Sequence, residues 1–186
     1  MRIVGGSAKG TRLAVPKSDV TRPTSDRVRE TVFNILEHGI ADFELKESRV
    51  LDLFAGTGAL GLEALSRGAG AAVFIDDDAG ARGLIRENAE RTHLLGRCRI
   101  SRRDGANLGP LGKGESFNLI FVDPPYGRGL ALAAIERAQE GGWFTQKAIL
   151  VVEDVKTAPF SWPEGVSGFD ERNFGKTTVY FGQCED

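Results

Sequence analysis

Val50-Leu51-Asp52-Leu53-Phe54 reads as a buried strand, and it runs straight into a tight glycine turn over residues 55–61. Within that turn, Gly56-Thr57-Gly58-Ala59-Leu60-Gly61 satisfies the spacing G-x-G-x-x-G. The helical pattern of residues 59–67 follows at once, and Gly68 ends it. Glycines in such a turn let main chain approach a ligand closely, and the helix start leaves free N–H groups facing it. A strand–glycine turn–helix unit needs further units of the same kind beside it to bury its strand.

Those units are present. Residues 71–76 form a second strand ending on Asp76, twenty residues after Gly56. Residues 79–93 make a helix, weakened by Gly80 and Gly83, and residues 98–101 a short third strand. Phe117-Asn118-Leu119-Ile120-Phe121-Val122 is the strongest strand signal and leads into Asp123-Pro124-Pro125-Tyr126. A helix at 130–140, a strand at 148–153 and two strands near 166–170 and 177–181 complete the chain. Strands alternating with helices give a mostly parallel, doubly wound α/β sheet, with ligands along the edge where the strands end.

The first 38 residues differ from the rest. Residues 2–4 and 11–15 read as two short strands joined through Gly5-Gly6 and Gly10, and Pro16 and Pro23 break the pattern. Thr24 or Ser25 caps a helix whose apolar face is Val28, Val32, Phe33, Ile35 and Leu36, with Gly39 at its end. Residues 1–29 hold seven Lys/Arg and two acids, a net charge of +5, while residues 30–186 carry −7. A basic arm on an acidic body fits local contact with phosphates as well as it fits a solvated hairpin.

At 186 residues the expectation is one domain, made of a basic hairpin and helix (1–38) and a core (39–186). With 41% hydrophobic and 27% charged residues, a disordered polyampholyte is excluded. Cys98 and Cys184 fit neither a metal nor a disulfide spacing, so idle thiols are expected and no metal. Residues 1–7 lack the apolar stretch of a signal peptide, and no run of 18 apolar residues occurs, so a cytoplasmic protein without a membrane span is expected.

The glycine turn and Asp76, placed to hold ribose hydroxyls, suit an adenosine-containing cofactor. Asp52 argues against a dinucleotide, because a carboxylate there repels a pyrophosphate. It suits a cofactor with an ammonium group instead, such as S-adenosylmethionine (AdoMet); a carboxylate bonded to the turn is the plainer alternative. Asp123-Pro124-Pro125-Tyr126 is the sharper signal. Its prolines fix φ and offer no N–H, so nearby carbonyls are left to accept from a ligand. Asp123 can accept from an amino group, and Tyr126 offers a face for a flat base. Two acceptors on the N–H bonds of an exocyclic amine turn its lone pair toward a methyl donor.

Asp-Leu-Phe-Ala-Gly-Thr-Gly with a downstream Asp-Pro-Pro-Tyr resembles class I AdoMet-dependent methyltransferases that modify amino nitrogens. Met1-Arg2-Ile3-Val4-Gly5-Gly6 and the stretch from Thr21-Arg22-Pro23-Thr24 to Asn34-Ile35-Leu36 are similar to the RsmD family, as are Phe74-Ile75-Asp76, Val151-Val152-Glu153 and Phe174-Gly175-Lys176-Thr177. The resemblance runs almost end to end. It implies a Rossmann-like class I methyltransferase fold with a seven-stranded sheet and helices on both faces. It implies methylation of the N2 amine of one guanine in small-subunit 16S rRNA, within an assembled 30S particle. It implies that Asp52, Phe54, Gly56 and Gly58 line the methionine end of AdoMet, that Asp76 holds the ribose, and that Asp104-Gly105 lie at the adenine. Asp123, Pro124 and Tyr126 then hold the guanine, with Pro125 completing the tetrad. The acidic run Asp76-Asp77-Asp78, the glycines Gly80 and Gly83, and Phe174 in place of a frequent Tyr depart from the family pattern.

Lys9, Arg12, Arg22, Arg27, Arg29 and Lys176 are then candidates for RNA contact. Arg27 and Arg29 open a helix, so one of the two is expected to point inward, toward Glu30 or a cofactor carboxylate. His38 and His93 fall at helix ends, and Trp143 and Trp162 read as packing residues. A monomer is expected. Other readings are an N-methyltransferase acting on DNA or a protein amide, a nicotinamide-dependent oxidoreductase, and a non-catalytic ribosome assembly factor.

Overall fold

A computed structural model describes residues 1–16, 25–114, 116–125, 129–155 and 160–186. In chain order the elements are α1 (Asp26–His38), β1 (Arg49–Leu53), α2 (Ala59–Ser66), β2 (Ala71–Ile75), α3 (Ala79–Arg91), β3 (Cys98–Ser101), β4 (Phe117–Val122), α4 (Leu130–Glu140), β5 (Phe144–Val155), β6 (Val166–Phe174) and β7 (Thr177–Cys184). The strands form one seven-stranded sheet in the order β3-β2-β1-β4-β5-β7-β6. β3, β2, β1, β4 and β5 are parallel, and β7 runs antiparallel to both β5 and β6. The chain leaves β1 toward β2 and β3, then resumes at β4 on the other side. This reversal opens a crevice beyond the ends of β1 and β4.

The strands alternate between two cores, which explains why their sequences are apolar without a break. Val50, Phe74, Leu119, Phe121 and Val151 face α1, α2 and α3. Leu51, Leu53, Ile75, Ile120 and Val122 face α4. Helices therefore cover both faces, as in a Rossmann-like class I methyltransferase. The α1 helix starts where Ser25 accepts a hydrogen bond from Val28 N at 3.3 Å. Its Phe33 ring lies 5.8 Å from Phe121, which fixes the helix over β4.

Several boundaries differ from the sequence reading. The N-terminal pair of strands is reduced to one antiparallel bridge, Arg2 to Arg12. Between them the backbone bonds elsewhere: Ser7 N donates to Ser66 O at 2.7 Å and Ala8 N to the Ser66 hydroxyl at 2.9 Å. Phe54 is not the last residue of the first strand but a turn residue at φ 58°. β5 begins at Phe144, because pairing with β4 jumps from Phe117–Phe144 to Leu119–Ile149 across a bulge containing Lys147 at φ 57°. β6 and β7 extend to Phe174 and Cys184, since the two pair along their whole length. A short 3-10 turn, Leu95–Arg97, precedes β3.

Candidate active site

The turn after β1 is built on three left-handed residues, Phe54 (φ 58°), Gly56 (φ 55°) and Gly58 (φ 74°). Glycine takes this conformation freely, whereas a bulky side chain there is strained, and such strain gathers at functional sites. The strain aims the Phe54 ring at Gly105, where an added Cβ would stand 2.9 Å from it. The turn is packed from beneath: a Cβ on Gly61 would lie 2.4 Å from the Phe74 ring. It is open above, since a Cβ on Gly56 would meet only Phe54 O, at 3.9 Å. A floor of main chain with free space over it is a cradle for a ligand.

Three of the predicted cofactor carboxylates surround this floor. Asp52 is buried and accepts from Gly61 N at 3.0 Å, so it caps the first turn of α2. Burial pushes its carboxyl up to about 8; the Gly61 N–H opposes the shift and the Asp76 charge adds to it. Asp76 accepts from Gly56 N at 2.9 Å and from Asp78 N at 2.9 Å, which ties the end of β2 to the glycine turn. A carboxylate has about four lone-pair sites, so both oxygens retain capacity for hydroxyl donors. Asp104 is exposed and accepts from Ala106 N at 2.9 Å, shaping the loop in which buried Gly105 meets Phe54. These residues fit AdoMet. Asp52 offers a buried carboxylate to an ammonium group, Asp76 faces the turn, and no phosphate-binding cation is needed.

At the end of β4, Asp123 is half-buried, Pro124 buried and Pro125 exposed, while Tyr126 and Arg22 lie outside the described residues. Asp123 lines a recess of about 10 Å³ together with Leu60 of α2, Val28 and Val32 of α1, and Glu153 of β5. Asp123, the helix that follows the glycine turn, and α1 therefore converge on one spot. Glu153 is only 8% exposed, and the pairing of Val122 with Val152 sets it level with Asp123. The sequence reading gave it no role; its position one residue beyond a strand pair was the signal available.

The predicted RNA-contacting cations are dispersed. Lys9, Arg12, Arg27 and Lys176 are exposed. Lys176 sits in the β6–β7 turn, which the pairing of Val155 with Thr177 places at the same sheet edge as the tetrad. Lys9 belongs to the loop docked on Ser66, at the far end of α2 from the glycine turn. Arg29 is not available to RNA: it is fully buried, pairs with Asp26 at 2.8 Å and donates to Arg2 O. Of the two arginines that open α1, Arg29 is the one turned inward, with Asp26 among its partners.

Three buried polar residues anchor the arm and were not foreseen. Glu63 accepts from Val4 N and Gly5 N, each at 2.8 Å, and from Arg67 Nε at 2.8 Å. Ser66 binds Gly5 O and Ala8 N. Asn88 binds both polar groups of Ala14 and the carbonyl of Thr57.

His38 ends α1 and His93 follows α3. Trp143 stacks on Phe117 at 6.0 Å and Trp162 meets Phe160 at 4.9 Å, both as packing. The two thiols are free, and burial pushes Cys98 up to about 12 and Cys184 to about 11. Among the described residues, no cluster of His, Cys, Asp or Glu is set to hold a metal, and no helix is long and apolar enough to cross a membrane.

Comparison with known proteins places this geometry. Residues 1–183 match the family model described as Conserved hypothetical protein 95. The chain is 41% identical over 168 residues to the ribosomal RNA small subunit methyltransferase D of Escherichia coli K12, covering 87% of this chain and 81% of that protein. The solved structure of the Escherichia coli protein yhhF superposes with a TM-score of 0.83 at 35% identity, over 100% of this chain and 98% of that one. An RNA methyltransferase from Salinibacter ruber, solved with S-adenosyl-L-homocysteine, shares the fold with a TM-score of 0.62 at 14% identity, over 89% of this chain and 95% of that one.

Proposed function

Because this chain belongs to the Conserved hypothetical protein 95 (RsmD) family, we propose that it transfers a methyl group from AdoMet to the exocyclic N2 amine of a guanine in 16S rRNA, within the small ribosomal subunit. The observation that carries the reading is the convergence of Asp123, Leu60 and Val28 on one recess beside the glycine turn. A cofactor floor and an amine-accepting carboxylate thereby share one edge of the sheet.

AdoMet, when bound, supplies an electrophilic sulfonium methyl group. The remaining work is alignment and electrostatics. Asp52 holds the cofactor's ammonium group, and Asp76 its ribose. The Phe54 ring and Gly105 would form the wall toward the adenine, with Asp104 beside it. Asp123 and the Pro124 carbonyl accept the two N–H bonds of the guanine N2 amine and turn its lone pair toward the methyl carbon. With AdoMet bound, the nitrogen–carbon bond would form as the methyl's bond to sulfur broke, with that pair left on sulfur. Positive charge grows on the nitrogen, where Asp123 stabilises it until a proton leaves for the carboxylate or for water. Tyr126 stacks on the base, and Pro125 holds the tetrad rigid. Arg12, Arg22, Arg27, Lys9 and Lys176 position the RNA through its phosphates.

The test is methyl transfer from labelled AdoMet to small subunits isolated from cells lacking the protein, with free rRNA and duplex DNA in parallel. Label confined to the subunits as N2-methylguanosine, and lost in Asp123→Ala, is the expected result. Label on DNA, or none anywhere despite AdoMet binding, overturns it.

A further inference from the structure

Asn88 lies in the third turn of α3 and is fully buried. Its side-chain oxygen accepts from Ala14 N at 2.6 Å. Its amide nitrogen donates to Ala14 O at 3.1 Å and to Thr57 O at 2.9 Å. The orientation is fixed by these partners, because a flipped amide would set its NH2 against the Ala14 N–H and its oxygen against two carbonyls.

The three partners belong to two different parts of the molecule. Thr57 is the middle of Gly56-Thr57-Gly58, the floor assigned to the cofactor. Its peptide with Gly58 is held on both sides, since Gly58 N donates to Ala55 O at 2.7 Å. Ala14 belongs to the basic arm, two residues after Arg12 and five after Lys9, both exposed. A second tie runs alongside: Arg91, one helical turn on, donates to Arg12 O at 3.5 Å. A planar amide cannot reorient toward one partner without moving against the others, so the glycine turn and the arm share one geometry.

We propose that Asn88 is a positioning residue that couples the two ligand sites, so that cofactor in the glycine turn and RNA on the arm each strengthen the binding of the other. The inference rests on the functional reading given above. A ligand drawing on the turn settles the Thr57 peptide; through Asn88 it settles the Ala14 backbone, two residues from exposed Arg12. Coupling of this kind is reciprocal by necessity.

The experiment measures the Kd of labelled S-adenosylhomocysteine, which supports no transfer, with and without saturating small subunits from cells lacking the protein. Wild type is expected to bind it about 5-fold or more tightly in the presence of subunits. Asn88→Ala, checked for a folded state by thermal melting, is expected to bring that ratio to about 1. Ala14→Pro removes the arm's N–H donor, while also fixing φ there and restricting Leu13, and is expected to lower the ratio too; checked for a folded state in the same way, it decides the matter if Asn88→Ala does not fold. A merely structural Asn88 would lower the melting temperature and leave the ratio intact. A wild-type ratio near 1, or a full ratio in a folded variant, overturns the proposal. Failure of wild type to bind S-adenosylhomocysteine at all, or subunits at all, overturns the functional reading first and this inference with it.

Discussion

The Asp76 carboxylate accepts a hydrogen bond from the Gly56 amide at 2.9 Å, joining the end of β2 to the glycine turn at the end of β1. The residue assigned to the cofactor's ribose thus also holds the shape of the loop beneath the methionine end. Asp76→Ala is expected to weaken AdoMet by more than one lost hydroxyl contact, on the order of 100-fold, while Asp76→Asn, which can still accept from Gly56 N, loses about 10-fold. Isothermal titration of the two variants separates them.

Asp52 gives a pH dependence of definite sign. Its carboxyl is pushed by burial from the ordinary 3.8 up to about 8, so the folded protein binds a proton there that the unfolded chain releases. Its contribution to stability is full below the ordinary value and is lost as pH rises through the window from 3.8 to about 8. An arriving ammonium group favours the ionised form, so AdoMet binding releases a proton near neutral pH and tightens as pH rises toward 8. Calorimetry in buffers of different ionisation enthalpy reads the proton, and Asp52→Asn is expected to abolish both trends.

Asp123 and the cofactor floor contribute to different kinetic constants. Asp123→Ala removes the acceptor that stabilises charge growing on the amine, so kcat is expected to fall by about 100- to 1,000-fold. The Kd for AdoMet is expected to change less than about 3-fold, since its assigned partners are Asp52, Asp76 and Asp104. Single-turnover kinetics alongside equilibrium binding check the split.

Two neighbouring arginines of α1 are expected to behave oppositely. Arg29 is fully buried against Asp26 and Arg2 O, so Arg29→Met costs about 1–3 kcal/mol of stability and loosens the arm. Arg27 is exposed, so Arg27→Met is expected to leave the melting temperature alone. It is instead expected to reduce the slope of subunit affinity against salt by about 1. Melting curves and salt titrations of both variants make the comparison.

Gly6 stands at φ 75°, and a Cβ there would lie 1.9 Å from Ser66 O. Gly6→Ala is expected to lift the arm loop from α2 at a cost of about 1–3 kcal/mol. Faster amide exchange at Ser7 and Ala8, whose N–H groups bond Ser66, is the direct readout.

Much of this architecture was legible because it follows apolar periodicity. Phe117–Val122 and Leu130–Glu140 have the boundaries their sequences suggest, since a buried strand and an amphipathic helix each announce themselves locally. The glycine turn was legible from residue type, and the position of Asp123 at the end of β4 from the apolar strand before it. What escaped was set by partners far along the chain. Glu63 and Asn88 are polar residues on helices, and nothing in their own periodicity distinguishes a buried clamp from a solvated face. Thr145-Gln146-Lys147 reads as a loop and is strand, because β4 supplies the pairing across a bulge. Phe54 in a left-handed conformation has no sequence signature at all; it goes with a ring seated on Gly105, a contact 51 residues away in the chain.

The docking of the arm also fixes an order of events during synthesis. Val4 and Gly5 bond to Glu63, Ala8 to Ser66, and Ala14 to Asn88, partners 58 to 74 residues further along the chain. This segment therefore has nothing to dock on until α2 has been made, and Ala14 waits for α3 as well. The glycine turn's Thr57–Asn88 bond likewise waits for α3. The basic arm and the cofactor floor are completed together, late: a chain halted before α3 would hold the arm at Glu63 and Ser66 but leave both Ala14 and Thr57 without Asn88.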